Sequence, residues 1–386
     1  RSSDLYLFIA TKKKSPVFLG SSFAFISPLA GAVAFGFLGI FLGAVFAGLV
    51  YVIIALIIKK TGSEWVNKLL PPVVIGPTVA LIGLSLCGSA VNNLNNTAAG
   101  DYNLVAILVG VIAFVITVYA STKGSKGMKL IPFIIGILSA YAVGLVLTLI
   151  GRAAGVDALQ VINLSAFQGM NLFEVPGFTF LGIFKEGASK FESFSQVLNV
   201  FMLFAPVAFV VLAEHIADHK NLSSIIEQDL ITDPGLDRTL LGDGIGSIVG
   251  SFFGGCPNTT YGESVGCVAI TGNASISTIA IAAVYCIVLA FFGPFTAFVN
   301  SIPSCITGGV CIALYGFIAV SGLKMLQPVD LGDNRNLFVV SAILVCGIGG
   351  LTIRLGSLEL SSTATALILG ILVNVIFNKP EKKDTP

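Results

Sequence analysis

Charge is what this 386-residue sequence most lacks. Lys and Arg number 21 and Asp and Glu 20, together 11% of the chain, where a soluble domain carries about 25%. The deficit excludes an ordinary soluble domain, and a net charge of +1 gives no basic field for holding nucleic acid. Histidine is nearly absent, with two residues, and no Cys-x-x-Cys occurs. The seven cysteines (Cys87, Cys256, Cys267, Cys286, Cys305, Cys311 and Cys346) are scattered through apolar stretches. Without clustered ligands, no metal site is expected, and the cysteines are read as buried free thiols that pack as small hydrophobes. No cofactor is expected. No nucleophile–base pair stands out, so the sequence does not read as an enzyme.

What is present is apolar. Hydrophobic residues make up 55% and the mean hydropathy is +0.95. Apolar runs of helix-spanning length recur along the whole chain, the pattern of a polytopic membrane protein. The 43 glycines fit this, because glycine lets membrane helices approach closely. Spans are expected at 20–31, 35–58, 71–92, 103–121, 130–151, 196–217, 239–254, 258–271, 275–298, 304–323, 336–353 and 360–378. Two of them, 20–31 and 258–271, are short and broken. Paired broken segments in two halves of a chain point to a transporter site at the repeat interface. The polar stretch 152–195 is expected to be an extracytoplasmic loop joining the halves. With the Lys12-Lys13-Lys14 loop inside, sixteen of the 21 basic residues are cytoplasmic. Four (Arg152, Lys185, Lys190, Arg354) lie outside, with Arg1 unassigned. That bias puts the C-terminal tail, 380–386, in the cytoplasm. The chain opens on Arg1, its first apolar run (Leu5 to Thr11) is too short to span, and no signal peptide precedes it. It is therefore expected to be a fragment lacking its first spans.

Chemistry concentrates in three places. Glu214 closes the apolar run from Pro206, and Glu263 sits in Pro257-Asn-Thr-Thr-Tyr261-Gly262-Glu263. A carboxylate at membrane depth costs about 2.5–3.5 kcal/mol on insertion scales, so each marks a functional site. Glu214 and Asp218 are four apart and share one helix face. Two carboxylates in low dielectric do not both ionise cheaply, which suits a proton acceptor. Asp218, His215 and His219 can also be read as marking the membrane exit, where charges are ordinary. Pro257 stops a preceding helix, Gly262 lets backbone approach a ligand, and a helix starting there aims N–H groups at the cavity. Gly20-Ser21-Ser22-Phe23 is the matching element of the other half, with hydroxyls, amides and an aromatic face. Together these suit a small, flat, neutral ligand with N–H donors and C=O acceptors, stacked on rings such as Phe23 and Tyr261. A nucleobase fits.

Four stretches carry a resemblance: Gly20-Ser-Ser-Phe-Ala-Phe-Ile-Ser-Pro28, Ala213-Glu-His-Ile216, Asp233-Pro-Gly-Leu-Asp-Arg238 and Pro257-Asn-Thr-Thr-Tyr-Gly-Glu263. They closely resemble bacterial uracil permeases of the nucleobase–ascorbate transporter family, and the likeness runs from about Tyr6 to Lys379. The resemblance implies an all-α inverted-repeat transporter of seven plus seven segments, with short strands in broken segments 3 and 10. The first segment and part of the second are absent here. It implies a core domain over 1–70 and 196–298, and a gate domain over 71–151 and 299–379. It also implies a uracil site formed by Ser22, Phe23, Glu214, Tyr261, Gly262 and Glu263, with Tyr315 lining it from the gate. The coupling ion would be a proton, handled by Glu214, Asp218 and Glu263, in a bacterial cytoplasmic membrane; a homodimer is compatible with it. Two positions depart from family patterns: Ser264 stands where one pattern has Asn, and Asp218 where some uracil permeases have His. The alternatives are a purine (xanthine or urate) transporter of the same fold, which xanthine competition would reveal, and a non-transporting nucleobase-binding remnant, which would bind without uptake.

Overall fold

The computed structural model describes residues 2–95, 102–186, 190–355 and 358–377. The chain runs α1 (Ser2–Ala10), β1 (Leu19–Ser21), a 3₁₀ turn (Phe23–Phe25), α2 (Ile26–Ala32), α3 (Gly36–Thr61), α4 (Glu64–Leu69), α5 (Pro72–Ser85), α6 (Cys87–Asn95), α7 (Leu104–Thr122), α8 (Lys126–Leu130) and α9 (Pro132–Ala154). The second half runs α10 (Thr179–Glu186), α11 (Phe194–Ile226), α12 (Leu236–Phe252), β2 (Asn258–Thr260), α13 (Gly262–Thr271), α14 (Ile276–Leu289), α15 (Gly293–Ser301), α16 (Ser304–Lys324), α17 (Asn334–Ile348), the hairpin β3 (Ile353–Leu355) and β4 (Leu358–Leu360), and α18 (Ser362–Phe377). Among the described residues, six helical stretches are long and apolar enough to cross a membrane.

The helices are inside-out relative to a soluble bundle. On α7 the buried face is Ala106, Val109, Gly110, Ala113, Thr117 and Ala120. The larger Leu104, Leu108, Val111, Val115 and Val118 point outward, as a lipid-facing stripe does. Small residues on the inner faces let backbones touch. A methyl group on Gly309 of α16 would strike Gly110 O of α7. On Gly48 of α3 it would meet Gly244 O of α12 at 2.6 Å, and the reverse contact is 2.7 Å. Helix α3 packs on α11 and α12, α1 packs on α12, and α5 packs on α16, α17 and α18. The site lies where β1 and β2 cross between these two groups.

Several elements differ from the sequence reading. The expected span 275–298 is two helices, α14 and α15, because Gly293-Pro294 restarts the helix with Pro in its first turn. The span expected at 336–353 stops at Ile348, where Gly349 and Gly350 (φ +74°) end it and lead to the hairpin. The stretch 152–195 is not plain loop: it carries two 3₁₀ turns and α10. Helix α11 continues past the expected end at 217 to Ile226, since no Gly or Pro follows Pro206 to stop it. Cys305 alone of the cysteines is fully buried, and Cys87 and Cys267 are exposed. The expected cytoplasmic tail, 380–386, lies outside the described residues.

Candidate functional site

Two short strands build the site. β1 and β2 pair antiparallel, with Leu19 opposite Thr260, Gly20 opposite Thr259 and Ser21 opposite Asn258. One bond extends the ladder at each end: Ser22 N–H donates to Pro257 O (3.0 Å) and Tyr261 N–H to Phe18 O (3.1 Å). Each strand leads straight into a helical start. Ser22 caps the Phe23–Phe25 turn by accepting from Ala24 N–H (3.3 Å), and Tyr261 precedes α13. Both helical starts therefore open at the crossing, and the N–H groups of Phe23 and Gly262 have no partner among the described residues. The Tyr261 ring lies over Gly20, where any Cβ would collide with it, and its hydroxyl donates to Ser21 O (3.2 Å). Ser264 has a clear local task. Its Oγ accepts from Phe18 N–H (3.2 Å) and donates to Tyr261 O (2.7 Å), clipping the two strands together.

A small, partly open cavity sits against this crossing. Ser22, Phe23, Tyr261, Gly262 and Glu263 line it from the strand side, Glu214 and Asp218 from α11, and Val79, Phe317, Ile318 and Ser321 from α5 and α16. Asp218 accepts from Thr260 Oγ1 (2.7 Å), and a Cβ on Gly262 would stand 3.3 Å from Asp218 Oδ1. Glu214 Oε2 is buried without a partner among the described residues. Among the described residues, no Lys, Arg or His lines the cavity, so none of them balances an anion there. Of the expected residues, Tyr315 stands apart: it is not among the lining residues but packs edge-on behind Phe23, ring centroids 5.3 Å apart at 77°.

Residues 3–356 match the Permease family. The chain belongs to that family, the nucleobase–ascorbate transporters. This permease is 40% identical to the uracil permease of Bacillus caldolyticus, covering 96% of this chain and 83% of the relative. It is 39% identical to that of Bacillus subtilis strain 168 (98% and 85%) and 34% to that of Escherichia coli K12 (97% and 82%). It is a multi-pass membrane transporter rather than an enzyme. The transmembrane domain of a cyanobacterial bicarbonate transporter, BicA, superposes with TM-score 0.59 at 14% identity, covering 96% of this chain and 92% of that one. SLC26A9 superposes at 0.60 with 11% identity (98% and 60%). At these identities the likeness establishes the fold alone, the inverted-repeat transporter.

Behind the cavity the permease buries a polar network whose α11 members could, from sequence, also mark a membrane exit. His215 and His219 are both 0% exposed and Asp218 8%. The longer α11 and the cover of α3 and α12 enclose them. His215 Nδ1 meets Asp243 Oδ2 and its Nε2 meets Thr239 Oγ1, each at 3.0 Å. His219 Nδ1 donates to His215 O (3.0 Å), and its Nε2 lies 3.2 Å from Ser15 Oγ. Asp243 was missed from the sequence, although a lone carboxylate in the Gly-rich run Leu240–Gly250 meets the criterion that marked Glu214. Phe317 and Ser321 carried no such signal, being ordinary residues of an apolar helix.

Proposed function

We propose that this permease imports uracil across the bacterial cytoplasmic membrane together with a proton, by alternating access. The observation that carries the reading is the cavity itself: two glutamates and two helical N–H groups face one space, and among the described residues those N–H groups have no partner and no cation lines the space. Uracil has two ring N–H donors and two carbonyl acceptors. Glu214 and Glu263 match the donors, the N–H groups of Phe23 and Gly262 match the carbonyls, and Phe23 and Tyr261 offer ring faces. The names of the relatives support the same ligand.

The coupling ion in this reading is a proton taken by Glu214, Glu263 or Asp218. A protonated carboxyl group hydrogen-bonds the base without leaving a buried charge. One proton crossing 100 mV supplies about 2.3 kcal/mol, about a fiftyfold concentration ratio. Residues 1–70 and 196–298 form the core that holds the site, and 71–151 and 299–379 the gate. Movement of α5 and α16 past the strand crossing exposes the site to either side. The C-terminus is cytoplasmic.

In proteoliposomes with an inside-alkaline gradient, labelled uracil is expected to accumulate and a protonophore to abolish accumulation. Accumulation indifferent to the protonophore removes the proton, and binding without any uptake makes the chain a receptor rather than an importer.

A further inference from the structure

Immediately behind Glu214 stands a titratable pair that the proposed cycle does not use. His215 and Asp243 are both wholly buried, and their hydrogens can be counted. Thr239 has one hydroxyl hydrogen and gives it to Leu236 O (3.1 Å). With that bond made, Thr239 accepts from His215 Nε2, 3.0 Å away, and Nε2 carries a hydrogen. The 3.0 Å contact of Nδ1 with Asp243 Oδ2 then needs one more proton, on the nitrogen or on the oxygen. With it the pair is neutral overall, as acid and ring or as carboxylate and imidazolium. Without it, lone pairs face each other and a net negative charge is left buried.

Among the described residues, no cation stands ready to take up that charge. The titratable groups around the pair are Glu214, Asp218 and His219 on α11, Tyr51 on α3 and Glu263 on α13. Asp243 lies within Coulombic reach of Glu214, Asp218 and Tyr51. Asp4 on α1, which packs on α12, accepts from Leu19 N–H (2.6 Å). Arg238 is engaged with Ala10 O (3.3 Å), and exposed Lys220 with Asn67 Oδ1 (3.2 Å). Asp243 Oδ1 and Tyr51 Oη are buried without partners among the described residues.

We propose that His215 and Asp243 form a one-proton store that sets when Glu214 releases its own proton. While the store is filled, the pair behind Glu214 carries no net charge. When it empties, a negative charge beside Glu214 holds the proton there. The two residues act through Glu214 and are positioning residues. The inference rests on the proton-coupled reading above.

The test compares the pH dependence of labelled-uracil binding in the wild type, Asp243→Asn and Thr239→Val. Asp243→Asn keeps the shape and offers an amide N–H to Nδ1, so the pair stays neutral at every pH. Thr239→Val removes the acceptor at Nε2, so the ring carries its hydrogen on Nδ1 toward a charged carboxylate. The alkaline limb is expected about one pH unit lower in Asp243→Asn than in Thr239→Val, with the wild type between them. A packing role would not separate the variants in opposite directions. Wild type coinciding with either variant, coinciding profiles or a reversed order overturns the store. If a variant does not fold, proton uptake on uracil binding by the wild type in weakly buffered detergent decides: two overlapping steps with pH are expected, and a single step overturns it. Wild-type binding independent of pH, with uptake indifferent to a protonophore, brings down the proton-coupled reading and the store together. A pH-dependent wild type with coinciding variants brings down the store alone.

Discussion

Glu263→Gln is expected to weaken uracil binding about a hundredfold, close to 3 kcal/mol. Glu263 sits in the first turn of α13 and lines the cavity opposite Glu214. Gln has the same size and leaves the strand crossing untouched, so the effect falls on the ligand. An acceptor oxygen facing a ring N–H becomes an amide that can present a second donor to it, and a hydrogen bond to a charged group is lost. Equilibrium binding and thermal unfolding of the same preparation separate ligand loss from misfolding. Near-normal affinity in a folded variant removes Glu263 as a ligand.

Gly20→Ala is expected to cut uracil affinity at least about tenfold and to destabilise the fold by about 1–3 kcal/mol, the range for overpacking a filled site. The added methyl group falls inside the Tyr261 ring. The ring must leave, taking with it the hydroxyl bond to Ser21 O and the aromatic face of the cavity. A second change, Tyr261→Ala, removes the collision and should restore stability without restoring affinity. Gly20→Ala with unchanged affinity contradicts the placement of Tyr261 at the site.

The parts of this molecule that were legible from sequence are those where a residue type conflicts with its surroundings. Glu214 and Glu263 stand out because charge in an apolar run demands a reason. The strand crossing was foreshadowed by Pro257 and by the Gly20-Ser21-Ser22 stretch, each breaking a segment otherwise fit to span. The Gly293-Pro294 restart carried the same kind of signal and was overlooked. What stayed hidden depends on contact between distant segments. The His215–Asp243 pair joins α11 to α12, and α12 in turn packs backbone to backbone on α3 at Gly48 and Gly244. Tyr315 was expected in the cavity wall. It turns instead against Phe23, while Phe317 and Ser321 of the same helix face the cavity; only the rotation of α16 decides that.

The most direct test of the central claim is equilibrium binding of labelled uracil to the purified chain in detergent, with unlabelled xanthine as competitor. The account expects saturable binding that unlabelled uracil displaces and xanthine does not. No saturable binding, or displacement by xanthine as effective as by uracil, contradicts it.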